Sequence, residues 1–272
     1  MNNADYQDMP CISSHWLIDL LVSPAHCYRR HLDPTRVIET PSDALRLGTL
    51  VHCLALTPKQ FTQEFRVITQ DRRSRTGRAE WEWTLCQGWT PIRPGELDRA
   101  RAIVAALKAE PTARKLLARG KKERTIIQPR AAGLLPLKAR LDIHNEARRH
   151  VIELKTTWNL DGIEAAMTRY RYPLSAAFYR DLVRGQHTTF VFVQTREPIT
   201  LKVIEMSKAD LQDGEMMWRT ALEMFDTCWR LNQWPELEST PIEDDDPLLL
   251  PGTPLFQRAG PRGELPVGEL TL

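Results

Sequence analysis

Two carboxylates and an ammonium group lie close together near the middle of the chain. Asp142 is followed eleven positions later by Glu153, Leu154 and Lys155, in the segment ARLDIHNEARRHVIELKTT. Magnesium prefers oxygen ligands and is usually held by one or two carboxylates with water and phosphate. Converging Asp and Glu side chains would supply such ligands, the Leu154 carbonyl could add a third, and the lysine could position an attacking water or stabilise charge on a phosphate. The pattern is therefore that of metal-assisted phosphodiester hydrolysis, and its alternative is an ordinary surface ion pair.

Two consecutive strands must position these groups. The pattern predicts one strand from Leu137 to Ile143 and the next from His150 to Lys155, with the polar segment HNEARR as the turn between them. Side chains alternate between the two faces of a strand, so Glu153 and Lys155 should point the same way while their apolar neighbours face the core. We therefore expect Asp142 and Glu153 side by side at the ends of adjacent strands.

The remaining segments predict a mixed sheet flanked by helices, an α/β architecture of the α+β type. A basic loop is expected after the second helix, and Pro173 should split the helical stretch that follows the third strand. Helices are predicted at Ser14 to Leu21, Ala44 to Leu56, Glu96 to Lys108, Thr112 to Arg119, Ile163 to Leu182 and Lys208 to Leu231. Further strands are predicted at Arg124 to Gln128, Thr188 to Gln194 and Leu201 to Met206.

Composition narrows the class of protein. With 272 residues, 42% hydrophobic and 26% charged, the chain is typical of a globular protein with a substantial core. The five cysteines contain no C-x-x-C pair, which argues against a disulfide framework, a zinc site or an iron–sulfur cluster. No apolar run is long enough for a membrane helix and no signal peptide is recognisable, so we expect a cytoplasmic protein.

Charge is distributed unevenly along the chain. The region 66–130 holds 16 Lys/Arg against 7 Asp/Glu, whereas 235–272 holds 2 against 8 and carries 7 of the 19 prolines. Arginines interleaved with tryptophans suit phosphate contact and base stacking, and the alternative is a solvated loop beside core tryptophans. The candidate DNA-contacting residues here are Arg72, Arg73, Arg75 and Arg78. We predict one domain over 1–234 with an N-terminal helical decoration, and a proline-rich acidic C-terminal extension over 235–272.

Several motifs along the chain, including the two that carry Asp142 and Glu153, resemble those of the PD-(D/E)XK nuclease superfamily and occur in the same order. Its exodeoxyribonuclease VIII (RecE-like) branch, related to lambda exonuclease and the RecB nuclease domain, is the most similar. The motifs are SPAHCYRRHL, ALRLGTLVHCLAL, RRSRTGRAEWEW, KKERTI, KARLD, VIELKTT, YRYPLSAAFYRD and TFVFVQT. Two positions depart from the family pattern: Leu141 replaces the proline before the aspartate, and Ser175 replaces the glutamine of the Q-x-x-x-Y motif.

The resemblance implies a restriction-endonuclease-like core and a fuller set of site residues. His52, in GTLVH, resembles a metal-binding histidine of the RecB-type branch, although a lone histidine among leucines is more often a core residue. Glu123 would be an additional metal-binding acid, or otherwise a surface acid. Tyr179 retains the tyrosine of the helix motif, or otherwise packs in the core. The metal ligands expected are thus His52, Glu123, Asp142, Glu153 and Leu154, the catalytic residues Asp142, Glu153, Lys155 and Tyr179, and further DNA contacts Arg169 and Arg171.

The function implied is that of a Mg²⁺-dependent exonuclease, with Mn²⁺ a possible substitute, that degrades one strand of double-stranded DNA from its end. By resemblance, digestion would run 5′ to 3′ in phage or prophage recombination, with a single-strand annealing protein as partner and a ring-shaped homo-oligomer around DNA. Two alternatives stay open: a catalytically weak DNA-end-binding scaffold, and an endonuclease of the same superfamily.

Overall fold

A five-stranded mixed sheet forms the centre of the protein in the computed structural model, which describes residues 3–36 and 42–236. The sheet order is β3-β4-β5-β6-β7, and a separate two-stranded parallel sheet pairs β1 with β2. The strands are β1 (Phe65–Val67), β2 (Thr90–Ile92), β3 (Lys121–Gln128), β4 (Leu137–Asn145), β5 (His150–Thr157), β6 (His187–Gln194) and β7 (Leu201–Glu205). The predicted mixed sheet flanked by helices is confirmed.

Helices cover both faces of the sheet. They are α1 (Asn3–Asp8), α2 (Ser14–Leu20), α3 (Pro24–Cys27), α4 (Asp43–Leu56), α5 (Phe61–Glu64), α6 (Arg75–Cys86), α7 (Pro94–Ala109), α8 (Pro111–Ala118), α9 (Ile163–Arg169), α10 (Tyr172–Leu182) and α11 (Lys208–Leu231). A first core cluster packs residues of α2, α9, α10 and α11 against one face, and a second packs α4, α7 and α8 against the other. Within β5, Val151 enters the first cluster, whereas Ile152 and Leu154 enter the second, as the alternation predicts.

Strands β4 and β5 pair over only three residues and then separate. The paired residues end at Ile143 and Ile152, so Asp142 and Glu153 lie where the strands diverge. On the diverging side, Ile12 bridges to Leu137 of β4. Because the backbone hydrogen bonds between β4 and β5 stop at this fork, the space beside Asp142 is available to side chains.

Three local predictions are corrected by the structure. Asp142 and Glu153 lie inside their strands rather than at the ends, because β4 continues to Asn145 and β5 to Thr157. The helical stretch breaks at Tyr170–Arg171 instead of at Pro173: Arg171 has φ 51°, and Pro173 occupies the first turn of α10, where a missing N–H costs nothing.

The expected basic loop is in part a helix. Ser74 caps α6 by accepting a hydrogen bond from the Gly77 N–H at 2.9 Å, so the arginine-rich segment begins a helix at Arg75. The helix α11 has the predicted bounds, Lys208–Leu231. The predicted extension over 235–272 lies, beyond residue 236, outside the described residues. Among the residues described, no helix has the length and apolar character needed to cross a membrane.

Candidate active site

The two acids of the motif face each other across the fork and are fixed by reciprocal backbone contacts. The Leu154 N–H donates to Asp142 Oδ2 at 2.8 Å, and the Asp142 N–H lies 3.3 Å from Glu153 Oε1. Glu153 is 1% exposed and Asp142 8% exposed. Neither is a surface ion pair, so the alternative considered from the sequence does not describe them. The role of the Leu154 carbonyl stays a prediction, since Leu154 acts here through its N–H.

Lys155 completes the motif on the same face as Glu153. Its Nζ donates to Glu153 Oε2 at 2.9 Å, and the side chain is buried beside the fork. Both oxygens of Glu153 therefore have a donor, one from the backbone of β4 and one from the lysine. The alternation expected along β5 is confirmed by this contact.

A cluster of metal-ligating groups lies on the other side of Asp142. Ligand atoms of His52, Glu123 and Asp142 all lie within 4.8 Å of one another. His52 Nδ1 is 3.5 Å from Asp142 Oδ1, and His52 Nε2 is buried without a hydrogen-bond partner among the described residues. Two carboxylates and an imidazole with an unsatisfied nitrogen fit a divalent cation. Glu153 is outside this cluster, although the sequence placed it among the ligands.

Glu123 is brought to the cluster by an irregular backbone. Its φ is 47°, in the left-handed region that residues other than glycine rarely adopt, and such a conformation costs on the order of 1 kcal/mol. The β3–β4 ladder pairs Lys122 with Ile143 and Arg124 with Leu141 but skips Glu123 and Asp142. The distortion gives Glu123 a partner in Arg140, whose Nε donates to Glu123 Oε2 at 2.8 Å.

Helix α4 approaches the sheet closely enough to bring His52 to the site. A Cβ on Gly48 would lie 2.9 Å from Thr156 Oγ1, closer than side-chain carbon atoms normally come. Gly48 therefore permits the spacing between α4 and β5, and His52 lies one turn further along the same helix.

The electrostatics of this group, which we call the fork site (His52, Glu123, Asp142, Glu153 and Lys155), favour a bound cation. Burial and the neighbouring Asp142 raise the pKa of Glu153 to about 7, and the same two causes raise the pKa of Glu123. Burial alone would raise the pKa of Asp142, but His52 and Lys155 outweigh it and the pKa falls below its usual value. The acids thus repel one another, and a divalent cation would relieve that repulsion.

The neighbouring carboxylates stabilise the charged forms of the two basic groups. Burial opposes the charged form of His52, but Asp142 outweighs burial and raises the pKa of the imidazole. Burial likewise opposes the charge on Lys155, yet Glu153 and Asp142 raise the pKa of the ammonium above its usual value. Lys155 is therefore a fixed cation at neutral pH, suited to orienting water or stabilising negative charge rather than to removing a proton.

A pocket opens beside Lys155 on the side of α10. Its cavity volume is only about 10 Å³, and it is lined by His15, Ile18, Lys155, Tyr170, Tyr172, Ser175 and Tyr179. Ser175 and Tyr179 thus face the same space, as expected for the two positions of the helix motif. Tyr179 also accepts a hydrogen bond from Ser14 Oγ at 3.0 Å, and burial raises its pKa to about 12.

His15 is the pocket residue that the sequence did not indicate. It lies on α2, outside every motif considered, and no local signal distinguishes it from a core histidine. Burial first, and Lys155 second, lower its pKa to about 4, so it is neutral at physiological pH. Only the docking of α2 on α10 brings it to the pocket.

The arginines proposed to contact DNA are not members of the fork site. Four of them, which we call the arginine surface, are exposed on or just before α6: Arg72, Arg73, Arg75 and Arg78. Arg72 stacks over Trp81 at 4.5 Å, but Trp81 is buried and therefore cannot stack on a base as the pattern suggested, whereas Trp83 is 56% exposed. Arg169 is exposed; Arg171 is half-buried, 3.5 Å from the Leu21 carbonyl.

A mixed sheet that forks at an aspartate, with an E-x-K motif on the next strand, defines the class of PD-(D/E)XK nuclease folds. The chain belongs to the family described as PDDEXK-like domain of unknown function (DUF3799), whose model matches residues 13–240. The superfamily expected from the sequence is confirmed.

One solved structure supports this fold. The chain is similar to a candidate exonuclease from Eubacterium rectale, with TM-score 0.57 and 14% identity over 89% of this chain and 96% of that one. It also resembles a phage-related exonuclease from Haemophilus somnus 129PT, with 13% identity over 59% of this chain and 85% of that one. The TM-score of that second comparison is only 0.32, so the fold assignment depends on the first. Comparison with curated protein sequences gives no match.

Proposed function

We propose that the protein is a metal-dependent deoxyribonuclease that hydrolyses phosphodiester bonds from the ends of double-stranded DNA. The observation that carries the proposal is the fork site, where the buried Asp142, Glu153 and Lys155 and the half-buried His52 and Glu123 converge on the sheet. Burial of so many charges is costly unless they are paired or bind an ion, and a structural scaffold gains nothing from it.

Each residue of the fork site has a role that follows from its contacts. His52, Glu123 and Asp142 would hold Mg²⁺, or Mn²⁺ in its place, and the ion would activate water and neutralise charge on the scissile phosphate. Glu153 holds Lys155 through Oε2 and the backbone of Asp142 through Oε1, which fixes the distance between the acid and the lysine. Lys155, kept protonated, would orient the attacking water and stabilise the negative charge that develops on the phosphate.

The substrate would approach the fork site from the pocket beside Lys155, whose volume of about 10 Å³ admits little more than one water molecule. Its polar lining includes Ser175, Tyr179 and the neutral His15, and Tyr170 and Tyr172 add aromatic surface. A nucleotide at the pocket mouth would bring its phosphate toward Lys155. Arginines of the arginine surface, with Arg169 and Arg171, would contact phosphates further along the duplex.

Exonuclease action from DNA ends, 5′ to 3′ polarity and a role in phage-type recombination extend the proposal. The family resemblance supports them, and the name of the similar structure from Eubacterium rectale supports exonuclease action alone. A ring-shaped homo-oligomer, a single-strand annealing partner and a cytoplasmic location belong to the same extension.

Purified protein incubated with end-labelled linear duplex and Mg²⁺ tests the proposal. We expect release of label by the wild type, and a loss of at least about 100-fold in rate for Asp142→Ala and Lys155→Ala. Separate 5′ and 3′ labels report polarity, and closed circular DNA, which an exonuclease leaves intact, identifies an endonuclease. Equal label release by all three proteins would defeat the proposal.

One observation favours a catalytically weak DNA-end-binding scaffold. Ser175 stands in the pocket where the related motif has glutamine, and its single hydroxyl reaches less far than an amide. The same assay separates the two functions, because a scaffold would retain labelled DNA ends in a gel-shift experiment without shortening them.

A further inference from the structure

Strand β4 buries a row of charged side chains on one face. Ala139 and Leu141 pack in the first core cluster, so Lys138, Arg140 and Asp142 alternate with them onto the opposite face. Lys138 is 2% exposed and the Arg140 side chain 13% exposed. Asp142 belongs to the fork site, but the two cations before it have no role in the hydrolysis described above. Buried cations need partners, and theirs connect a distant segment of the chain to the fork site.

Lys138 binds the end of helix α1. Its Nζ donates to the backbone carbonyls of Tyr6 at 2.8 Å, Gln7 at 3.0 Å and Met9 at 2.9 Å. Carbonyls at a helix C-terminus have no intrahelical partner, and an ammonium with three donors can satisfy three of them at once. The segment is held a second time where Ile12 pairs with the backbone of β4. Residues 5–12 are thus fixed to the strand that carries Asp142.

Tyr6 extends this attachment to Arg140. Its ring centroid lies 4.9 Å from Lys138 Nζ and 5.9 Å from Arg140 Cζ, and Tyr6 is itself 7% exposed. An aromatic face attracts a cation at these distances, and the attraction is stronger in a buried setting. One ring therefore covers both cations of β4 and shields the guanidinium of Arg140 from water.

Arg140 in turn fixes Glu123. Its Nε donates to Glu123 Oε2 at 2.8 Å, and a carboxylate oxygen of Glu123 lies within 4.8 Å of ligand atoms of His52 and Asp142. Glu123 has a strained backbone with φ 47°, and a side chain on such a backbone needs a contact that holds it. Loss of a group that hydrogen-bonds to a metal ligand commonly lowers metal affinity by about 10- to 100-fold.

We propose that Arg140 is a positioning residue for the metal site, and that the segment 5–12, bound by Lys138 and covering Arg140 with Tyr6, is a structural part of that site. The inference rests on the proposed function, because the ion whose ligand Arg140 positions is the ion of the hydrolysis. It identifies Tyr6 and Arg140 as determinants of metal affinity, although neither is a ligand.

The test compares Mn²⁺ binding, measured by isothermal titration calorimetry, in the wild type, Arg140→Gln and Arg140→Lys. We expect Arg140→Gln to bind Mn²⁺ about 10- to 100-fold more weakly, as is typical when a group behind a ligand is lost. Arg140→Lys should recover part of the affinity, because an ammonium still reaches the carboxylate. DNA cleavage by Arg140→Gln should recover at high Mn²⁺, and Tyr6→Ala should weaken binding in the same direction but less.

Arg130→Gln is the matched control. Arg130 is 14% exposed in its side chain and pairs with the equally buried Asp226, far from the fork site in the fold. Both glutamine variants lose a buried ion pair and should lose thermal stability, but Arg130→Gln should bind Mn²⁺ as the wild type does. In the Glu123→Gln background, Arg140→Gln should have little further effect on affinity, since it acts through Glu123.

The possible outcomes distinguish a failure of the Arg140 proposal from a failure of the proposed nuclease function. A wild type that neither binds Mn²⁺ nor cleaves DNA would contradict the proposed function. A wild type that does both, with unchanged Mn²⁺ affinity in Arg140→Gln, would overturn the inference alone. Equal weakening in Arg130→Gln, or full additivity with Glu123→Gln, would likewise show that Arg140 has only a general structural effect.

Discussion

The fork site and the arginine surface both concentrate charge, but they hold it in opposite ways. In the fork site every carboxylate has at least one oxygen bound by a donor, from Leu154, Asp142, Lys155 or Arg140, and the groups are buried or half-buried. On the arginine surface the guanidinium groups are exposed to water, where each contributes little to stability. We therefore expect that one substitution in the fork site removes most of its activity, whereas each substitution on the arginine surface weakens DNA binding by a small, additive amount.

Asp142→Asn should give the largest effect and tests the fork site as a unit. Asp142 contacts His52 and Leu154 and belongs to the metal cluster, so its loss should reduce DNA cleavage by at least about 100-fold. Saturating Mn²⁺ should raise the melting temperature of the wild type but not of the variant. Asp98→Asn, at an exposed carboxylate of α7, should retain both activity and the Mn²⁺ effect.

Gly48→Ala should give the next largest effect and tests whether the spacing of α4 fixes the fork site. The new Cβ would lie 2.9 Å from Thr156 Oγ1, so the helix or the threonine must move, at a cost of about 1–3 kcal/mol. We expect a lower melting temperature and a roughly tenfold slower cleavage. Thr156→Ala removes the contacting oxygen, so the double variant should regain much of the melting temperature and of the cleavage rate. If neither is regained, other contacts set the spacing between α4 and β5.

His15 provides a smaller, pH-dependent test at the border of the fork site. Its pKa is lowered to about 4 in the fold, so the unfolded chain binds a proton more readily. The contribution of neutral His15 to the free energy of unfolding is therefore complete above pH ~6.5. About 1–3 kcal/mol of that free energy is lost as the pH falls toward 4. Chemical denaturation at several pH values should show a shallower acid-side decline in His15→Gln than in the wild type. Parallel declines would mean that other groups dominate.

Arg75→Ala and Arg78→Ala should give the smallest effects and test the arginine surface. Loss of one phosphate contact weakens DNA binding a few-fold and lowers the slope of log affinity against log salt by about 1. The free energy of unfolding should change by no more than ~0.5 kcal/mol, because exposed side chains make few packing contacts, so the melting temperatures should stay close to that of the wild type. Arg101→Ala, on the exposed side of α7, is the control. An unchanged salt slope in both surface variants would remove this region from the DNA contact.

Local pattern predicted the regular elements well. Helix α11 has its predicted bounds and β4 to β7 differ from prediction by few residues, because period-two alternation and 3.6-residue periodicity report burial directly. The sequence pattern does not predict helix α6, since its arginines and the exposed Trp83 leave no apolar stripe and the cap at Ser74 is its only clear start.

The chemistry of the motif can be read from the sequence alone. Covalent order gives the types and order of Asp142, Glu153 and Lys155, and strand geometry gives the shared face of the last two. Which other side chains converge on that motif depends on the tertiary structure. Glu123 reaches the cluster through a left-handed backbone, His52 through a close helix approach, and Arg140 is covered by a tyrosine more than 130 positions earlier in the chain. Such contacts are set by packing between distant segments, which has no period or spacing along the sequence to reveal it.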